Sequence, residues 1–116
     1  MAPTTLPHQK TATSPRGKDP ARYGTLNVVD VLGKMDIAYL ARGELVGAAG
    51  MNNCKKLIRT AFEHQLAGDG FCLVELLSPC PTNLNLPPVK ARAHVHNEMT
   101  KYFPTGVYID RKGGNE

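Results

Sequence analysis

Residues 70–83, reading Gly-Phe-Cys-Leu-Val-Glu-Leu-Leu-Ser-Pro-Cys-Pro-Thr-Asn, constrain the fold more than any other stretch of this chain. From Phe71 to Leu77 every position except Glu75 is apolar, with no alternation that would leave one face to water. A strand covered on both faces reads this way, and such strands belong to mostly parallel sheets flanked by helices. Pro79 and Pro81 then end the ladder, because proline has no N–H to donate and holds its own φ fixed. Cys80 is thereby carried in a stiff loop to the carboxyl end of a strand, where open α/β sheets hold their ligands.

The segments before this strand complete a recognisable unit. Cys54, Leu57, Ile58, Ala61, Phe62 and Leu66 recur at offsets of three and four and predict a helix over about 53–67 with that stripe inward. Lys55, Lys56, Arg59, Glu63 and His64 fall on its polar side, and Gly68-Asp69-Gly70 stops it and turns the chain into the strand. Ahead of the helix, Ile37 to Ala41 is a short apolar run that suits a buried strand. Strand, helix and strand make one βαβ unit, whose crossover should be right-handed and whose sheet should be parallel. Upstream, Val28, Val31, Leu32 and Met35 predict a short helix capped by Asn27. Downstream, residues 83–88 resist regular structure, and Pro88 suits the first turn of a helix whose shared face is Val89, Ala93, His96, Met99 and Phe103. Pro104-Thr105-Gly106 breaks that helix, leaving Gly106 to Ile109 as a last short strand or an extended docking segment. The polar residues 1–24 read as an arm that is mobile without a partner surface, and residues 111–116 as a disordered end.

With 116 residues there is enough chain for one modest core. No apolar run approaches the roughly 20 residues needed to span a bilayer, and the first residues lack a secretory pattern, so the expectation is a cytoplasmic protein without a membrane role. The formal charge of +4 is carried by dispersed residues, and four Tyr and three Phe are the only aromatics, which argues against a nucleic-acid partner. Three cysteines without a CxxC pair suggest neither a disulfide framework nor a self-contained zinc site.

Among the chemically interesting side chains, Cys54 and Cys72 fall inside apolar patterns and read as small hydrophobes. Cys80 lies outside any such pattern and reads as a metal ligand or a reactive thiol. His94 and His96 are two apart, which on a helix sends them to different faces, so they read as solvated or packing residues rather than a metal pair. Glu75 is either a buried acid/base carboxylate or, preferably, the counterpart of a basic group at a subunit face. Lys55, Lys56 and Arg59 read as a solvated helix face able to steer an acidic partner.

The run GFCLVELLSPCPTN, together with MAPTTLPHQKTATSP upstream and MTKYFPTGVYIDRK downstream, resembles the carboxyl-terminal half of the β subunit of the 2-oxoacid:ferredoxin oxidoreductases. The resemblance covers nearly the whole chain and is most specific at Ser78-Pro79-Cys80-Pro81-Thr82-Asn83; Leu84 stands where that family often has Trp. It implies an α/β fold, the carboxyl-terminal part of a thiamine diphosphate-binding domain of the pyrophosphate type, with residues 1–25 an extended arm after the cofactor motif and 26–116 the domain proper. The implied activity is oxidative decarboxylation of a 2-oxoacid to acyl-CoA, of the 2-oxoglutarate or branched-chain type, using thiamine diphosphate, Mg2+ and a [4Fe-4S] cluster. Ferredoxin, coenzyme A, the α subunit and further small subunits are the implied partners. By that resemblance Cys80 is one of four cluster ligands and Thr4 and Thr5 lie near thiamine diphosphate; no residue here is implied as catalytic. The magnesium-binding Gly-Asp-Gly motif and the other three cluster cysteines would lie upstream, so the fragment alone is expected to be inactive. The alternative is a non-catalytic α/β interaction module.

Overall fold

The computed structural model describes residues 5–80, 82 and 85–112. Its centre is β1, Tyr39–Glu44, which runs parallel to β2, Cys72–Leu77, on one side and antiparallel to β3, Gly106–Asp110, on the other. The sheet order β2-β1-β3 is therefore mixed, not uniformly parallel. The parallel pair is in register from Tyr39 opposite Cys72 to Glu44 opposite Leu77, and it is joined through the helix α2, Gly47–Leu66. The expected strand–helix–strand unit is present, and the alternative of an extended docking segment at 106–109 gives way to a paired strand.

Alternation along β1 divides the core. Tyr39 and Ala41 pack with Leu57, Ala61, Cys72 and Val74 beneath α2, while Leu40 packs with Val29, Ile37, Leu32, Leu73 and Ile109 on the side of α1, Val28–Leu32. A third cluster joins Leu77, Val95 and Phe103 to Leu6, Val46 and Met99 at the carboxyl end of the parallel pair. Gly43 faces α2, where a Cβ would stand 2.7 Å from the Cys54 sulfur and 3.1 Å from Leu57 Cδ1; the close approach of helix and strand requires glycine there.

Several expectations are corrected. β2 is half-exposed from Cys72 to Leu76 and buried only at Leu77, because it lies at the edge of the sheet. In α1 the buried residue is Val29, with Val31 and Met35 exposed, and Asn27 makes no side-chain cap bond because its Oδ1 accepts from Arg42. The inward face of α2 is Cys54, Leu57 and His64, whereas Ile58, Phe62 and Leu66 are exposed. In α3, Pro88–His94, which continues into a π-helical turn over Val95–Met99, the buried side is Ala91 and Val95 with Phe103 beyond; Val89, Ala93 and His96 are exposed. The amino-terminal segment is tied down through Lys18, fully buried, whose Nζ donates to the Thr5 carbonyl at 3.0 Å and to Thr25 Oγ1 at 3.2 Å. Arg111 is likewise held, donating to the Ile37 carbonyl and pairing with Asp36, although residues 113–116 lie outside the described residues.

Candidate functional site

The carboxyl end of the β1–β2 pair carries the loop with Cys80 and, through Leu6, the segment with Thr5. Leu77 ends β2 and is locked by Leu45, whose N–H donates to its carbonyl at 2.9 Å, and by packing on Val95 and Phe103. Three residues later Cys80 stands exposed in the loop, beyond a half-buried Pro79. Leu6 belongs to the same apolar cluster as Leu77, so the amino-terminal segment returns to this end of the sheet and brings Thr5 with it. The Thr5 carbonyl also accepts from Thr25 Oγ1 at 2.8 Å, which fixes its position further. Thr4 lies outside the described residues. Between the amino-terminal segment and the chain after Cys80 is an open cleft of about 810 Å³, with His8, Lys10 and Thr11 on one wall and Thr82, Asn85 and Leu86 on the other. Among the described residues His8 and Asn85 are the non-glycine residues with left-handed backbone, one on each wall.

The three thiols have different chemistry. Burial raises the Cys54 pKa and the nearby Glu44 carboxylate raises it further; its sulfur donates to the Glu44 carbonyl. Cys72 is half-buried and turns its sulfur to the Gly70 carbonyl at 3.5 Å. Only Cys80 is exposed, as an external metal or reactant would need. Among the described residues no three His, Cys, Asp or Glu side chains come together as a metal site. Among the described residues no further such side chains gather with Cys80.

Glu75 meets a basic group, but inside the chain. Arg42 is fully buried, and its Nε donates to Glu75 Oε2 at 2.8 Å while its other nitrogens donate to Asn27 Oδ1 at 2.8 Å and the Pro104 carbonyl at 3.3 Å. The rings of Phe103 and Tyr108 lie within 5.1 and 5.7 Å of its guanidinium carbon. One buried cation therefore binds α1, β2, β3 and the segment before β3 to the central strand. His96 is exposed and pairs with Glu44 at 2.9 Å, bridging the π-helical turn and β1.

At the opposite end of the sheet lies a constellation that sequence reasoning missed. His64 is buried against Tyr39, ring centroids 5.3 Å apart, with Nδ1 2.7 Å from Asp69 and Nε2 2.7 Å from Asp110. Burial alone would lower its pKa, but the two carboxylates outweigh burial and raise it; both nitrogens can donate together only as imidazolium. The available signal was spacing, since His64 lies three positions after Ala61 and seven after Leu57. Its polarity had assigned it to the solvated side.

No family model matches the sequence, and no solved structure does. Two curated proteins do: ketoisovalerate oxidoreductase subunit VorA of Methanothermobacter thermautotrophicus, 36% identical over 118 residues, and the subunit of the same name from Methanothermobacter marburgensis, 35% identical over 118 residues. Each match takes in 100% of this chain and 25% of the relative, so the chain spans a quarter of the length of the curated relatives it matches. Among the described residues no helix is long and apolar enough to cross a membrane.

Proposed function

We propose that this chain is part of the thiamine diphosphate-binding β subunit of a 2-oxoacid:ferredoxin oxidoreductase, of the branched-chain 2-oxoacid type. The observation that carries the reading is the exposed Cys80 thiol at the carboxyl end of a parallel strand, in a chain similar along its whole length to part of ketoisovalerate oxidoreductase subunits. In this reading Cys80 supplies one thiolate to a [4Fe-4S] cluster, and Thr5, with Thr4 before it, lies beside thiamine diphosphate and its Mg2+. The carboxylate-free cleft walls bearing His8 and Lys10 suit anionic groups of cofactor or substrate. When bound, thiamine diphosphate supplies the electron sink for decarboxylation and the cluster supplies one-electron transfer to ferredoxin, with coenzyme A accepting the acyl group. What this chain's own residues do is narrower. The Leu77–Leu6 packing and the Lys18 hydrogen bonds hold the end of β2, from which Cys80 follows, and the amino-terminal segment at one end of the sheet.

The name of the relatives favours the branched-chain substrate over 2-oxoglutarate. The α subunit, further small subunits and ferredoxin are the partners this reading requires, in the cytoplasm. The test is anaerobic reconstitution with iron and sulfide of the chain co-produced with the remaining three-quarters of a VorA subunit. A cluster signal on reduction is expected, lost in Cys80→Ser and kept in Cys72→Ser. A cluster with unchanged redox behaviour in Cys80→Ser refutes the ligand assignment, and no cluster in the parent leaves the non-catalytic α/β module as the better description.

A further inference from the structure

His64 is gripped from two sides, and the grips are unequal. Asp69, which takes Nδ1 at 2.7 Å, lies five positions further along, in the turn that leaves α2, and its own N–H donates to the His64 carbonyl at 3.0 Å. Asp110, which takes Nε2 at 2.7 Å, arrives on β3 from 46 positions away. The Asp69 side chain is 11% exposed and that of Asp110 55%. A carboxylate only accepts, so each bond needs a proton on the ring nitrogen it meets. Imidazolium has two such protons and neutral imidazole one, so the neutral ring must give up one carboxylate. Solvation decides which. Water replaces the lost bond at Asp110 and reaches Asp69 far less, so the neutral ring keeps Nδ1–H on Asp69 and turns a bare lone pair to Asp110.

We propose that His64 is a proton-operated latch on β3: loss of the ring proton frees Asp110 and loosens the carboxyl end of β3 from β1, while the Asp69 bond and the rest of the fold stay in place. A lone pair facing a carboxylate at the latched distance repels it, so the same contact that fastens the strand in one state pushes it off in the other. The register of the sheet sets where the loosening stops. Asp110 lies opposite Tyr39 and Ile109 opposite Leu40, and then the ladder shifts between Leu40 and Ala41 before Val107 and Gly106 resume it. That irregularity breaks the hydrogen-bond row and makes the end of β3 a unit apart from the half beside Arg42. Past Asp110 the end is held by Arg111, whose N–H donates to the Ala38 carbonyl at 2.7 Å and whose half-exposed side chain donates to the Ile37 carbonyl. Among the described residues no other group takes over the Asp110 bond to the ring. Tyr39 of β1 is stacked on the imidazole and stays neutral, because burial raises its pKa, and its hydroxyl engages Thr60 of α2. Glu63, engaged by Arg59, and Lys112 line the open cleft of about 510 Å³ between the last turns of α2 and the end of β3. From β2 comes Cys72, in the same apolar cluster as Tyr39. Burial alone would lower the proton affinity of His64, but the two carboxylates outweigh it; the latch therefore stays shut past the ordinary histidine value of about 6.5 and opens as pH rises through the folded value. The inference stands independently of the proposed function.

The experiment follows the 15N-labelled 116-residue chain by NMR as pH is raised from about 6, reading the ring nitrogens of His64, identified by its contact with Tyr39, and the protection of backbone amides. Expected are two protonated ring nitrogens at the start and an Nδ1–H tautomer with a bare Nε2 at the end. Over the same step the amides from Ile109 to Arg111 should lose about fivefold in protection, after correction for the intrinsic pH dependence of exchange, while those of α2 change by less than about twofold. Asp110→Ala should show the loosened end at every pH, with its protection no longer following the ring. An Nε2–H tautomer above the step makes Asp110 the carboxylate retained and overturns the proposal. So does a ring that keeps both protons until the chain unfolds, protection at residues 109–111 that ignores the titration of the ring, or a loss spread evenly over the chain. The deciding signals come from the parent chain, so a failure of Asp110→Ala to fold leaves the test intact.

Discussion

Replacing Asp69 by Asn tests whether a protonated imidazole joins α2 to β3. The Asp69 side chain is 11% exposed and Asp110 55% exposed, so the two carboxylates that grip His64 are not equivalent. A hydrogen bond to a charged, largely buried partner contributes about 1.5–3 kcal/mol, and Asp69→Asn at pH 6 should cost that much. The Asp110 bond is shared with solvent, and Asp110→Asn should cost about 1 kcal/mol or less. The proton supplies the second half of the test. Because the folded state raises the His64 pKa, it holds the proton more tightly than the unfolded chain does. The clasp therefore contributes in full below the ordinary histidine value of about 6.5, and the contribution declines as pH rises through the folded value. Urea unfolding across that alkaline interval should show the parent losing stability and the gap to Asp69→Asn closing, at a constant denaturant slope. A gap that stays the same at high pH, or an Asp110→Asn penalty larger than that of Asp69→Asn, would refute the reasoning.

Two further substitutions probe the central strand. Arg42→Met should destabilise by about 3–5 kcal/mol in chemical denaturation, since it leaves Glu75, 16% exposed, without its cation, while Glu75→Gln, which keeps an acceptor, should cost less. Gly43→Ala should cost about 1–3 kcal/mol from the clash with the Cys54 sulfur, and Cys54→Ala should recover most of it in the double variant; an additive double variant would show that the close contact is not the cause.

Elements with a single period were legible, and side chains that depend on a distant partner were not. The parallel pair and its connecting helix follow from an apolar run, a helical stripe and the Gly68 turn, where φ is +73°. The helix starts at Gly47, earlier than its stripe, because Gly-Ala-Ala-Gly carries no apolar signal; at Gly50 a Cβ would stand 2.8 Å from the Glu44 carbonyl, so the residues were chosen for closeness rather than helicity. His64 and Arg42 were hidden because their burial depends on carboxylates 46 and 33 positions away. The buried row is Ala91, Val95 and Phe103 rather than the row led by Val89 and Ala93, and the π-helical turn over Val95–Met99 lies within it. At the candidate site, the position of Cys80 followed from its flanking prolines. The return of the amino-terminal segment through Leu6 and Lys18 did not, because a buried lysine in a polar stretch resembles a solvated one.

The unequal exposure of the three cysteines makes Cys80 an addressable handle. A maleimide added to the native chain will mark that sulfur first, with Cys72 sheltered and Cys54 sealed beneath α2, so a spin label or fluorophore can be attached without mutating the others. The same openness makes it the sulfur that air or a stray disulfide reagent will cap first, and preparations meant to carry iron must keep it reduced from lysis onward.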